Sequence, residues 1–172
     1  TGGSGGHVIP ATILYDHLKN NADVIISIDK RGLRYLDVQN YKIEVIDTPK
    51  LDNILFLPIN LIKIFILIIK SFLILKKKKI EKIFSTGGYM SLPLILAAQL
   101  LNIKIYLVEP NQVLGRANKF FLKSCENIFC YTNEIKNFPE KFRNKMVIIN
   151  SLVKKKIYDL NLNQKKKIFL QF

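Results

Sequence analysis

Three turns carry the residues of this 172-residue chain whose types and spacing could do chemistry. The first, Thr1 to His7, reads TGGSGGH. Without Cβ atoms its backbone N–H groups can approach a phosphate, and a helix starting there adds the positive end of its dipole. Its glycines at 2, 3, 5 and 6 fit neither GxxxxGK[ST] nor GxGxxG well, so taken alone it is a weak signal, with a flexible turn as the lesser alternative. The second, Thr86 to Ser91, repeats the device with Gly87-Gly88-Tyr89, and two glycine turns on one rim could grip two phosphates or both sides of a diphosphate. The third, Glu109 to Asn118 (EPNQVLGRAN), offers a carboxylate, two carboxamides and a glycine at a helix start. That mix suits sugar hydroxyls or a uracil edge, with helix capping by Asn111 or Asn118 as the alternative. His7 stands beside the inferred phosphate site, where a neutral imidazole could take a proton from an attacking hydroxyl; the alternative is a histidine that caps the loop. His17, inside the following helix, reads as filler.

Turns of this kind act together only if strands and helices bring them to one edge. Val8 to Asn20 has apolar residues at 9, 13, 14 and 18 with Pro10 near its start, a helix-start pattern. Asp23 to Ile28 reads as a buried strand, 30 to 39 as a short helix, and Tyr41 to Asp47 as an alternating strand. Thr48 to Pro58 holds two prolines and reads as a loop. A long helix over roughly 59 to 79 leads to a strand at Lys82 to Ser85, which runs into the second turn. Ser91 to Asn102 is helical, Ile103 to Val108 an all-apolar strand, Gly115 to Ser124 a helix, and 127 to 131 and 146 to 149 short strands. Strands alternating with helices predict an α/β fold, a Rossmann-like parallel sheet with helices on both faces. In such a sheet ligands bind where strands end and helices begin, which is where all three turns fall.

Composition limits the partners. The formal charge is +14, but Arg occurs only at 31, 34, 116 and 143, and the other basic residues are Lys in a chain rich in Ile and Asn. That bias fits an AT-rich coding sequence, so net charge alone does not point to a polyanion. The lysines are not interleaved with aromatics in any recognised motif, and no nucleic-acid partner is expected. Cys125 and Cys130 have neither CxxC spacing nor a neighbouring His, so neither a disulfide nor a metal site is expected, and no cofactor is called for. The chain opens directly in the glycine turn and stops in KKKIFLQF, which reads as a strand beginning. Both ends read as cut, and a strand is expected before Thr1.

The motifs GGSGGHVIPA, STGGYMSLP and VEPNQVLGRANK resemble, in order and spacing, the GGTGGHxxP, GGYxSxP and HEQNxxxGxxNK signatures of the MurG family of peptidoglycan glycosyltransferases. The resemblance implies the N-terminal half of a GT-B fold with its first strand missing. It implies transfer of N-acetylglucosamine from UDP-N-acetylglucosamine to the 4-hydroxyl of the muramyl residue of lipid I, the undecaprenyl-linked muramyl-pentapeptide, giving lipid II. Carried over by position, Ser4, Gly5, Gly6 and Asn111 match donor or diphosphate contacts. His7 matches a candidate base, Gly87, Gly88 and Tyr89 fall on the second glycine loop, and Glu109 and Asn118 match motif residues of less defined role. Three departures stand out: Val108 for the family's His, Pro110 for its Gln, and Asn150 to Lys154 for a GNPVR segment. Lys154 cannot repeat an arginine's bidentate contact. The implied domains are 1–150 as the acceptor-side domain, 151–166 as a linker and 167–172 as the start of a donor-binding domain.

From Asn53 to Ile80 there is no acidic residue, and the run is nearly all apolar apart from six lysines. A membrane span, a buried core helix and a membrane-surface helix compete for it. Lys63, Lys70 and Lys77 lie seven apart and form one stripe on a helix. A single crossing would put the first and second glycine turns on opposite sides of the bilayer. The favoured reading is a helix that packs on the sheet and dips an outer edge into an anionic membrane, with Lys76, Lys77, Lys78 and Lys79 meeting headgroups. The expected location is the cytoplasmic face of the bacterial inner membrane, as a peripheral protein. The rival readings are a GT-B transferase for another lipid acceptor and a non-catalytic membrane-recruitment subunit.

Overall fold

The structure, a computed structural model, describes residues 3–49 and 56–152. The linker from 153 onward, the strand at 167–172 and Lys154 lie outside the described residues. Ten elements alternate in the expected order: α1 (Gly5–Leu18), β1 (Ile26–Ile28), β2 (Ile43–Val45), α2 (Leu57–Lys77), β3 (Lys82–Ser85), α3 (Leu92–Leu100), β4 (Lys104–Glu109), α4 (Arg116–Phe121), β5 (Asn127–Cys130) and β6 (Met146–Ile148). Every strand pair is parallel.

The strands form two sheets where one was expected, a β1-β2 pair and a four-stranded β3-β4-β5-β6 sheet. β3 is an edge of the larger sheet, and no ladder joins it to β1. The sheets are tied at their C-terminal ends instead: Thr48 Oγ1 donates to the Met90 carbonyl at 3.3 Å, and the first turn of α1 bonds to Thr86.

Several boundaries differ from the sequence reading. α1 begins three residues early, because the N–H groups of both His7 and Val8 reach the Ser4 carbonyl at 3.1 Å, so Gly5, Gly6 and His7 are helical. Pro10 is therefore in the second turn, where it removes the donor that would meet the Gly6 carbonyl. The two short strands shrink to three residues each, the length over which β1 and β2 face one another. The expected helix at 30 to 39 is two 3₁₀ turns, Gly32–Tyr35 and Val38–Asn40. Asp37 breaks it by accepting from Gln39 N at 3.3 Å and Asn40 Nδ2 at 2.7 Å, a local side-chain cap competing with the helical ladder. Tyr89–Ser91 is likewise a 3₁₀ turn ahead of α3.

The main core lies between one face of the larger sheet and its helices, with Ile83, Ile95, Ile105, Leu107, Phe121 and Ile128 buried. α2 contributes Ile64, Ile68, Phe72 and Leu75 from one face, spaced at three, four or eight residues as a single helical stripe requires. A smaller core of Val8, Tyr15, Ile26 and Ile28 holds α1 on the β1-β2 pair.

Candidate functional site

β3 and β4 deliver the second and third turns to the C-terminal rim, and the first turn is held there by the bonds of Gly3 to Asp29 and of His7 to Thr86. Ser4 occupies the N-cap position of α1 but makes no side-chain cap bond, and Gly5 and Gly6 supply the first helical N–H groups. A Cβ on Gly5 would touch the Tyr35 ring at 3.4 Å, whereas one on Gly6 would meet nothing nearer than Ser4 Oγ at 3.9 Å. The helix end is thus packed on one side and open on the other.

His7 links the first turn to the second. Its Nδ1 lies 2.7 Å from the Thr86 carbonyl oxygen, and Thr86 Oγ1 donates back to the His7 carbonyl at 2.9 Å. A carbonyl can only accept, so Nδ1 is the donor of this bond. Beyond Thr86 the chain turns through Gly87 (φ +86°) and Gly88 (φ +82°), a left-handed path open to glycine at little cost. Gly87 N donates to Ser85 Oγ at 3.2 Å, and Tyr89 then presents a partly exposed ring.

The third turn is organised from beneath. Glu109, read from the sequence as the first residue of the third turn, instead ends β4 and is only 2% exposed. Its Oε1 accepts from Asn111 N at 3.2 Å and Asn111 Nδ2 at 3.0 Å, and its Oε2 accepts from Gly115 N at 2.8 Å and Asn118 Nδ2 at 3.0 Å. Both oxygens are spent on the loop itself. Asn118, also 2% exposed, donates to the Val108 carbonyl at 3.1 Å and packs beside Gly87, where an added Cβ would come within 3.3 Å of its amide. That contact joins the second and third turns. Asn118 Oδ1 is buried and has no hydrogen-bond partner among the described residues. Asn111 remains exposed, its amide nitrogen held by Glu109 and its carbonyl oxygen available.

Two residues at the rim escaped the sequence reading. Asp29, immediately after β1, is fully buried; its Oδ1 accepts from Gly3 N at 2.8 Å and Gly32 N at 2.9 Å, and its Oδ2 from Arg31 Nε at 2.7 Å. Burial alone would push its pKa up, but the Gly3 N–H, the Arg31 guanidinium and the Gly32 N–H together hold it below the ordinary carboxylate value. Arg31 continues across to the second turn, where Nη2 bonds the Tyr89 hydroxyl. An acid placed directly after a strand at the ligand rim was the available signal. The two cysteines take no part: both are buried and unpaired, and burial first, then the Glu109 charge, pushes the Cys130 thiol up to about 12. Among the described residues no group of three His, Cys, Asp or Glu could hold a metal ion.

The lysines are on another surface. Lys63 and Lys70 are exposed on α2 and Lys76 and Lys77 lie in its last turn, but Lys78 and Lys79, expected within the helix, fall beyond its end at Lys77. Lys78 caps α2 and turns back to Glu44 Oε2 at 3.5 Å, and Lys79 adopts a left-handed φ of 51°. Beside the lysine stripe Ile62, Phe65, Ile66, Ile69 and Leu73 are all exposed.

Parallel strands joined by helices, with two glycine turns and an amide-lined turn clasped together on one rim, define a Rossmann-like α/β domain. The chain belongs to glycosyltransferase family 28: the family's N-terminal domain matches residues 1–130. It is 52% identical over 160 residues to the UDP-N-acetylglucosamine–N-acetylmuramyl-(pentapeptide) pyrophosphoryl-undecaprenol N-acetylglucosamine transferase of Pelagibacter ubique, covering 92% of this chain and 45% of that protein. The protein of the same name from Caldicellulosiruptor saccharolyticus is 36% identical over 169 residues, 93% of this chain and 45% of its own. The chain thus spans under half the length of these curated relatives. Among solved structures, Acinetobacter baumannii MurG superposes with a TM-score of 0.71 at 26% identity, over 95% of this chain and 47% of that one. The UDP-GlcNAc 2-epimerase of Methanocaldococcus jannaschii shares the fold, with a TM-score of 0.63 at 16% identity over 86% of this chain and 43% of that one.

Proposed function

We propose that this chain is the acceptor-side half of a GT-B N-acetylglucosaminyltransferase that acts on a lipid-linked muramyl-pentapeptide. UDP-N-acetylglucosamine would be the donor and the muramyl 4-hydroxyl the attacking group, as the names of the relatives suggest. The observation that carries the reading is the pairing of His7 with the Thr86 carbonyl, which sets the imidazole between two glycine turns; in the neutral ring Nε2 is then the basic nitrogen. A base so placed takes the hydroxyl proton as the oxygen attacks the anomeric carbon and UDP departs. Ser4, Gly5 and Gly6 offer N–H groups and a dipole to phosphate, Asn111 offers its amide to the donor, and Glu109 and Asn118 act beneath it by fixing the loop.

The test is His7→Ala in the full-length transferase that contains this segment. Loss of a general base lowers kcat by about 10² to 10⁴ and leaves the donor KM nearly unchanged. A raised acceptor KM with kcat preserved would instead assign His7 to the loop's structure and overturn the base role.

Peripheral attachment to the cytoplasmic face of the inner membrane belongs to the same proposal. α2 has 21 residues, long enough to cross a membrane, and exposes Leu61, Ile62, Phe65, Ile66, Ile69 and Leu73. The inner stripe of the helix is occupied by the core, which favours an outer edge dipping into lipid over a span. Lys63, Lys70, Lys76 and Lys77 flank that edge and would meet anionic headgroups.

A further inference from the structure

Arg31 has a coordination that structure alone does not require. Its Nε is bound to the buried carboxylate of Asp29 at 2.7 Å, which fixes the plane and reach of the guanidinium. Nη2 points across the rim to the Tyr89 hydroxyl and lies 2.9 Å from the Met90 sulfur, a weak acceptor. Nη1 makes no hydrogen bond among the described residues, and the side chain is 35% exposed. One edge of an always-charged fork is therefore anchored, and the other is held by a neutral hydroxyl and a thioether. Both of those partners are poor matches for a fork that pairs best with two anionic oxygens. In a chain whose basic residues are nearly all Lys, an arginine at this position also stands out.

The surroundings indicate which anion. Met90 is joined through its carbonyl to Thr48, and Thr48 lines a groove of about 350 Å³ with Asp47, Pro49, Lys63, Ile66 and Leu67. Lys63 and Ile66 belong to the exposed side of α2, so one wall of the groove is the proposed membrane edge, and Thr48 in its lining bonds the carbonyl of Met90, whose sulfur faces Arg31 Nη2. We propose that Arg31 is a substrate-binding residue that exchanges Tyr89 and Met90 for the diphosphate of the membrane-anchored acceptor, gripping it with Nη1 and Nη2 while Asp29 holds Nε. This inference rests on the acceptor-side reading above and adds the residue that recognises the acceptor's charge.

The experiment uses the full-length transferase with Arg31→Gln and Arg31→Lys, and farnesyl diphosphate and UDP as binding probes. The expected result is an acceptor KM raised tenfold or more in Arg31→Gln with the donor KM within twofold. Farnesyl diphosphate affinity falls in parallel while UDP affinity does not. Arg31→Lys recovers little, because an ammonium cannot give a forked contact. A loss confined to UDP affinity and donor KM would assign the arginine to the donor's diphosphate and overturn the proposal, as would a fall in melting temperature with both KM values unchanged. Arg31-dependent binding of farnesyl diphosphate without transfer to a muramyl lipid would sustain the assignment of Arg31 and refute the proposed reaction instead.

Discussion

Replacing Glu109 by Gln tests the view that the third turn is built around one buried carboxylate. Four donors converge on its two oxygens at 2.8 to 3.2 Å, two from backbone N–H groups and two from carboxamides. A Gln keeps one acceptor oxygen and sets an NH₂ group against the other two donors, so two bonds to a charged acceptor become a donor–donor clash. At about 1.5–3 kcal/mol for each such bond, the chain should lose about 3–6 kcal/mol. For a domain of this size that is roughly 6–24 °C in melting temperature. Urea and thermal unfolding of Glu109→Gln against the parent chain measure it. Combining the change with Asn118→Asp reverses the donor and acceptor across the 3.0 Å contact, so the double variant should be more stable than the sum of the single losses by about 1 kcal/mol or more. A loss below about 1 kcal/mol, or strict additivity in the double variant, would refute the caged carboxylate as the organiser of the turn.

Gly6→Ala should leave stability unchanged or raised by about 0.5–1 kcal/mol, since the added Cβ meets open space inside a helix, yet it should impair the full-length enzyme if a phosphate approaches there. Equal stability with full activity would deny Gly6 a ligand role. Gly87→Ala should cost about 1–3 kcal/mol from its φ of +86° and the 3.3 Å approach to Asn118, measured by urea unfolding. The folded-state pKa of Asp29 is depressed, so its contribution to stability is complete above the unfolded value near 4 and is lost as the pH falls through the folded value; Asn at this position should flatten the fall of the urea midpoint over that acid range. Changing Lys63, Lys70, Lys76 and Lys77 together to Gln should weaken binding to anionic vesicles by about 1 kcal/mol per lysine, measured by sedimentation, whereas Lys78→Gln should do less because Lys78 is paired with Glu44. An equal effect from Lys78 would count against the stripe as the contact.

The order of elements was legible because long apolar periodicities such as those of α2 and β4 depend on burial, which a sequence records directly. Boundaries were less so. The glycines of the first turn argued for a loop, but tertiary contacts outweigh their poor helix propensity once Gly5 packs on Tyr35 and His7 grips Thr86. The division into two sheets was hidden for a similar reason, since a pattern of strands does not state which edges meet. Among the rim residues, glycines and amides announced themselves by type, whereas Asp29 and Arg31 look like ordinary surface charges until Asp29 is seen to be fully buried. The same difference separates Asn111 from Glu109. They are two residues apart in one motif, yet one faces outward from the rim and the other lies beneath it with its bonding capacity spent on the loop. Spacing in sequence identifies a turn that handles ligands, but only burial and hydrogen bonding separate the side chains that can meet a ligand from those that hold them in place. The prediction that Glu109→Gln lowers stability and Gly6→Ala does not follows from that distinction, and neither outcome could be drawn from the motif alone.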